Sequence, residues 1–108
     1  MKRGDLVTVA VQGDFGKPRP ALIIQADQFG DHPSVTVLLI TSSLVDAPML
    51  RVPVLPGGTS GVQRTSQVMI DKAMTIRRDK LGQVVGSLDD DVMVEVERRL
   101  AIFLGIAK

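Results

Sequence analysis

Cysteine, tryptophan and tyrosine are absent from this 108-residue chain, and His32 is its only histidine. Without cysteine the chain cannot form a disulfide, a thiol nucleophile or a cysteine-ligated zinc site. A single histidine excludes paired-histidine acid–base chemistry and a multi-histidine metal site. Three phenylalanines are the only aromatic residues, which excludes a nucleic-acid platform built from rows of stacking rings. The composition therefore excludes cysteine-ligated and multi-histidine metal sites, and we expect no cofactor.

Long hydrophobic runs are also missing. The apolar run that follows the charged start, residues 6–11, is too short for a signal peptide, and no stretch is long enough to cross a bilayer. We therefore expect no membrane association and a cytoplasmic location. The length and the 44% apolar content predict one domain over residues 1–108, with some apolar surface left to cover a partner.

Basic and acidic residues are almost equal in number, so the net charge is only +1. It is nevertheless distributed unevenly. Residues 1–86 contain ten basic and seven acidic residues, whereas residues 87–108 contain three basic and five acidic ones. The positive excess lies in the first part of the chain, where it would favour a ligand that carries phosphate.

The first 86 residues predict a sheet. Apolar runs and alternation predict strands over residues 5–11, 21–24, 35–40, 50–54 and 66–70, with an extension of the last to residue 76 left open. Pro53 cannot donate to a strand ladder, which favours an edge position for the fourth strand. Residues 75–86 mix charges with turn-forming residues and predict a short connection.

The last 22 residues predict one helix, over residues 88–104. Ser87 and Asp90 resemble a capping box, with Ser87 as the N-cap, and Gly105 is a natural stop. One helical face carries apolar residues: Val92, Val96, Leu100, Phe103 and Leu104. The chain is therefore predicted to be mainly β, a small barrel-like sheet closed by a C-terminal helix.

Arg19 is the most informative single residue. It lies between Pro18 and Pro20, whose restricted backbone would fix the direction of the guanidinium group. A fixed guanidinium suits bidentate binding of a phosphate. A surface arginine at a proline-protected strand start fits the pattern equally well, so both interpretations stay open.

Hydroxyl and basic groups supply the other candidates. Residues 41–43, Thr-Ser-Ser, end a central strand and could donate to phosphate oxygens, although a polar strand end with local hydrogen bonds is the commoner explanation. Arg77, Arg78 and Lys80 form a basic cluster that could contact an RNA backbone or simply be a solvated face. His32 is more simply a solvated loop residue, and the aspartates at 89–91 are more simply helix-capping than metal-binding.

In order along the chain, these motifs resemble the MazF/PemK family of bacterial toxin ribonucleases. The resemblance covers nearly the whole chain. It rests on RGDLV at 3–7, GKPRPALII at 16–24, ITS at 40–42, the stretch from Gly61 to Asp71, and the closing segment 87–105.

The resemblance implies a compact SH3-like barrel of the MazF/CcdB toxin type that forms a homodimer. It implies metal-independent cleavage of single-stranded RNA or mRNA at short sequences, through attack of the 2′-OH, leaving a 2′,3′-cyclic phosphate and a 5′-OH. It further implies inhibition of translation and growth, and neutralisation by a cognate antitoxin protein.

The same resemblance assigns the site residues. It places Arg19 and Thr41 at the family's catalytic positions, with Asp14 as a candidate proton acceptor. It implies RNA contacts at four further positions: Lys17, Ser42, Asp71 and Arg77. Because arginine stays protonated in proteins, Arg19 would stabilise charge or donate a proton rather than act as the base.

Two alternatives remain on the same fold. The ending Leu104-Gly105-Ile106 faintly resembles that of gyrase-poisoning toxins of the CcdB type, which carry a Trp that this chain lacks. Met74 stands where the MazF family often has a basic residue, which together with the low net charge suggests a non-catalytic interaction domain.

Overall fold

The computed structural model describes residues 1–10 and 17–107. Its elements are β1 (Asp5–Ala10), β2 (Pro18–Ile23), β3 (Ser34–Thr41), β4 (Arg51–Val54), β5 (Ser66–Arg77), β6 (Val84–Ser87) and α1 (Asp90–Phe103), with short 3-10 turns at Asp27–Phe29 and Arg78–Lys80. The prediction of a mainly β chain with a C-terminal helix is confirmed. Within the described ranges, no helix is long and apolar enough to span a membrane.

The six strands form one antiparallel sheet in the order β4-β5-β3-β2-β1-β6. β4 is an edge strand, as Pro53 predicts. Its exposed side is poorly suited to pairing with another strand, because Pro53 offers no N–H and the Arg51 carbonyl oxygen accepts a hydrogen bond from Arg99 of α1 (2.7 Å). β2 lies inside the sheet, in keeping with its apolar sequence.

The pairing of β5 with β3 contains an irregularity in register. The second half of β5 pairs with the start of β3 (Leu38 opposite Ala73), and its first half pairs with the end of β3 (Ile40 opposite Val68). Residues 69–72 therefore lie against Leu39 alone, and such an irregularity bends the strand. This bend lets the first half of β5 pair with β4 as well and leaves Asp71 inside the irregular stretch.

Apolar side chains are buried on both faces of the sheet. One cluster contains Leu6, Leu22, Leu38, Val68 and Ile70 and packs against α1, while the other contains alternate residues such as Val7, Ala21 and Val37. The strands thus alternate between two buried clusters, which a curled sheet allows. The second cluster forms the apolar surroundings of the face on which Arg19 lies.

α1 packs through the middle of the predicted apolar face but not through its end. Val96 is buried together with Met93, and Val92 and Leu100 are partly buried. Phe103 and Leu104 are exposed, which was not expected from the helical periodicity alone. Periodicity defines a helical face, whereas the length of the surface that the face meets decides how much of it is covered.

Two local predictions were wrong. Residues 84–87, predicted as part of a turn-rich connection, form β6 and pair with β1, placing Ser87 opposite Asp5. The helix consequently starts later, and its N-cap is Asp89, whose Oδ1 accepts from the Val92 N–H at 3.0 Å. Ser87 instead belongs to β6, where its N–H donates to the Thr59 carbonyl and its carbonyl accepts from the Thr59 hydroxyl.

Candidate functional site

The strand register aligns the two residues predicted to be catalytic. β2 pairs with β3 so that Ala21 lies opposite Leu39 and Leu22 opposite Leu38. Continued by two residues, this register places Arg19 opposite Thr41. Directly opposed residues in antiparallel strands project from the same face of the sheet. Arg19 and Thr41 therefore share one face, although they are 22 positions apart in the sequence.

A cleft of about 250 Å³ lies at this point. It is lined by Arg19, residues 39–43 and Met69. The structure thus brings together three of the predicted site residues: Arg19, Thr41 and Ser42. An arginine and three hydroxyl groups around one cleft can supply several donors to a phosphate group.

Thr41 also makes the local hydrogen bond that is expected at a polar strand end. Its Oγ1 accepts from the Ser43 N–H at 3.0 Å. This contact uses one lone pair and leaves the hydroxyl proton for another acceptor. The local contact and a phosphate contact are therefore compatible, and the bond orients the hydroxyl group.

The remaining predicted residues lie at different distances from the cleft. Lys17 is exposed and immediately precedes β2. Asp71 is partly buried in the irregular stretch of β5, and its Oδ1 has no hydrogen-bond partner among the described residues. Its other oxygen is 4.0 Å from Nζ of Lys72. Asp14 lies outside the described residues.

Arg77 lies at the other end of the sheet. It pairs with Ser34, seven residues before Thr41 on β3. At a rise of about 3.3 Å per residue the two ends of β3 are about 23 Å apart. Arg77 forms an ion pair with Asp79 at 2.6 Å, and His32, near the same end, is an exposed loop residue as predicted.

A larger groove, of about 570 Å³, lies between β4, residues 55–60 and the start of α1. It contains none of the predicted site residues and is mostly apolar. The groove is the larger of the two cavities, but the smaller cleft has the side chains suited to phosphate. We place the candidate site in the smaller cleft, because it brings Arg19 and the hydroxyl groups together. Among the described residues, no three acidic or histidine side chains are grouped closely enough to hold a metal ion.

Sequence reasoning missed Gln67, which continues the row formed by Arg19 and Thr41. Gln67 lies opposite Thr41 on β5, and its side chain makes two hydrogen bonds to the backbone of Val45. A glutamine in a strand is not in itself a signal of function. Only the register of β5 against β3 shows that it lies beside Thr41, one of the residues that line the cleft.

The fold of this chain also occurs in solved structures, and its sequence matches a known family. The model of the family described as PemK-like, MazF-like toxin of type II toxin–antitoxin system matches residues 2–104. The chain therefore belongs to the PemK/MazF-like toxin family.

Individual relatives agree with this assignment. A protein named probable endoribonuclease MazF, from Mycolicibacterium smegmatis, is 47% identical over 99% of both chains, and endoribonuclease EndoA of Bacillus subtilis is 29% identical over 98% of this chain and 96% of its own. A crystal structure of MazE–MazF from Deinococcus radiodurans superposes with a TM-score of 0.79 at 26% identity, covering 99% of this chain and 97% of the other. A mycobacterial endoribonuclease in complex with its cognate antitoxin has the same fold (TM-score 0.81, 23% identity, 100% and 98% covered).

Proposed function

We propose that this protein is the toxin of a type II toxin–antitoxin pair and acts as an endoribonuclease on single-stranded RNA, including mRNA. The observation that carries the proposal is the meeting of Arg19 and Thr41 in one cleft. The endoribonuclease names of its relatives support the same activity. Cleavage at short specific sequences would stop translation and growth.

The proposed reaction uses a nucleophile that the RNA itself provides. The 2′-oxygen attacks the adjacent phosphorus and loses its proton, an O2′–P bond forms, and the P–O5′ bond breaks. The departing O5′ takes up a proton, so the products are a 2′,3′-cyclic phosphate and a 5′-OH. Because the attack is intramolecular, it needs neither a protein nucleophile nor a metal ion.

The side chains of the cleft have distinct roles in this reaction. Arg19 binds two phosphate oxygens through paired N–H groups and stabilises the charge that grows on them. Thr41 donates its hydroxyl proton to a phosphate oxygen. Asp14 is proposed from the sequence as the acceptor of the 2′-OH proton, and a carboxylate suits that role.

RNA would be held mainly through its backbone. Lys17 and Ser42 are nearest to the proposed catalytic pair, Asp71 contributes from β5, and Arg77 contacts a more distant part of the strand. With no tryptophan or tyrosine in the chain, these charged and polar groups replace ring stacking.

The protein is proposed to form a homodimer and to bind a cognate antitoxin in the cytoplasm. MazE–MazF complexes among the structural neighbours support an antitoxin partner. Exposed apolar side chains supply surface for such contacts: Leu44, Met49, Phe103, Leu104 and Ile106.

The decisive experiment is cleavage of a long single-stranded RNA by the purified protein in EDTA, with both new ends identified. We expect cleavage that yields 5′-OH and cyclic-phosphate ends. A matched oligonucleotide with one 2′-deoxy sugar at the cleaved position should stay intact. A requirement for added Mg²⁺, or a 5′-phosphate product, would refute the mechanism. Failure to cleave any RNA would favour the non-catalytic interaction domain.

A further inference from the structure

One wall of the cleft is formed by the segment 42–50, which connects β3 to β4 and includes Ser42 and Ser43. Its larger side chains are not buried: Leu44, Val45 and Met49 are 54%, 47% and 54% exposed. Apolar burial therefore contributes little to holding these residues against the rest of the molecule, and their position depends on hydrogen bonds.

Gln67 supplies two of those hydrogen bonds to one residue. The Val45 N–H donates to Oε1 of Gln67 at 3.2 Å, and Nε2 of Gln67 donates to the Val45 carbonyl oxygen at 3.0 Å. The side-chain amide thus pairs with Val45 much as a neighbouring strand would. Nη1 of Arg51 lies 3.5 Å from the same Oε1 and supports its orientation.

The far end of the segment has an independent anchor. Nη1 of Arg99 donates to the carbonyl oxygens of Pro48 and Arg51, while its Nε donates to Glu95 at 3.0 Å. Arg99 thus fixes where the segment joins β4, and Gln67 fixes the part closest to Ser42 and Ser43. The loss of Gln67 would loosen the wall of the cleft, which would keep the contact of the Ser43 N–H with Thr41 Oγ1, and would leave the start of β4 in place.

We propose that Gln67 is a positioning residue, which holds Val45 and thereby sets the wall formed by Ser42 and Ser43 in the shape that receives the RNA backbone. This inference rests on the proposed function. Gln67 acts through the segment 42–50 rather than on the reacting atoms. Its role is to keep the binding-competent form of the cleft populated before RNA arrives.

The test replaces Gln67 with leucine, which has a similar size and no hydrogen-bonding group, and compares it with Gln63→Leu, the same change at an exposed glutamine. We expect Gln67→Leu to raise the amide-exchange rate of Val45 about tenfold, as the loss of its hydrogen bonds requires. KM for a short RNA should rise, by at most about tenfold, while kcat stays within about twofold, because bound RNA selects the ordered wall. Gln63→Leu should change neither quantity.

Gln67→Glu guards against misfolding of the leucine variant, because it keeps an acceptor for the Val45 N–H, although it removes the donor and adds a negative charge. Its effect on the exchange of Val45 should lie between those of wild type and leucine, whereas its KM also includes repulsion between the new charge and the RNA phosphates. Unchanged exchange at Val45 in both variants would overturn the proposal, as would a fall in kcat at constant KM. If the wild type cleaves no RNA, the proposed function fails and with it the role toward RNA, whereas exchange still decides whether Gln67 holds the wall.

Discussion

Arginine residues lie beside both ends of β3, but their surroundings differ. At one end Arg19 lines a cleft with Thr41 and Ser42. At the other end Arg77 forms an ion pair with Asp79, and Arg78 donates to the carbonyl oxygens of His32 (2.9 Å) and Phe29 (3.4 Å). Arg19 thus lines a cleft that a ligand can enter, whereas Arg78 holds a loop at the end of the sheet through hydrogen bonds.

This difference shows why a basic cluster in a sequence is a weak guide to function. Three basic residues at positions 77–80 look more like a nucleic-acid contact than a lone arginine at position 19. The lone arginine is nevertheless the one that the register places beside hydroxyl groups. The residues that surround each arginine therefore decide what its guanidinium group can bind.

The largest effect should come from Arg19. We expect Arg19→Ala to lower kcat/KM for RNA cleavage about 10³-fold, the scale seen when a charge-stabilising donor is removed. Arg19→Lys keeps the charge but loses the paired donors, so it should recover only part of the activity. Arg98→Ala, a change at an exposed arginine of α1, serves as the control in the same assay. An active Arg19→Ala protein would place catalysis elsewhere.

Replacement of Thr41 should have the second-largest effect on RNA cleavage. Thr41→Val keeps the β-branched shape and removes the hydroxyl group, so we expect kcat to fall about 10- to 100-fold without loss of the strand. Thr41→Ser retains the hydroxyl and should stay within about fivefold of wild type. Equal activity of the valine and serine variants would show that the hydroxyl does not contact the phosphate.

Arg78 should affect stability and leave cleavage unchanged. Arg78→Ala removes two hydrogen bonds to loop carbonyls, and we expect the free energy of unfolding to fall by about 1 kcal/mol. Cleavage should remain within about twofold. Urea titration and the RNA assay on the same preparation separate the two effects. A large loss of cleavage with an intact fold would make the second end of β3 part of the RNA site.

The smallest effect should come from Arg77, predicted to contact RNA far from the cleft. Arg77→Ala should weaken RNA binding a few-fold and reduce the slope of log affinity against log salt by about 0.7, as expected for one lost phosphate contact on a single strand. Lys17→Ala, next to the cleft, should reduce the slope at least as much. An unchanged slope for Arg77→Ala would restrict RNA binding to the Arg19 end.

Local patterns predicted those parts of the structure that depend on near neighbours in the chain. The edge position of Pro53 follows from a backbone restriction, and the C-terminal helix follows from short-range periodicity. The start of that helix did not follow, because Ser87 and Asp89 are both good caps. The pairing of Ser87 with Asp5, 82 positions away, decided between them.

Arg19 and Thr41 were predicted in part from local patterns and in part from the family resemblance, and their roles remain predictions. Gln67 could not be identified in this way, since its function depends on Val45, 22 residues earlier, and on the irregular stretch of β5 that aligns it with Thr41.

The sequence by itself determined the fold class, the family and the candidate residues for phosphate binding, because motifs and periodicity are local properties. Tertiary structure alone decided which of those residues meet, where the helix begins, and how the exposed segment 42–50 is held in place. Each of these depends on contacts between distant residues, and a shift of one position in strand register would move every side chain to the opposite face.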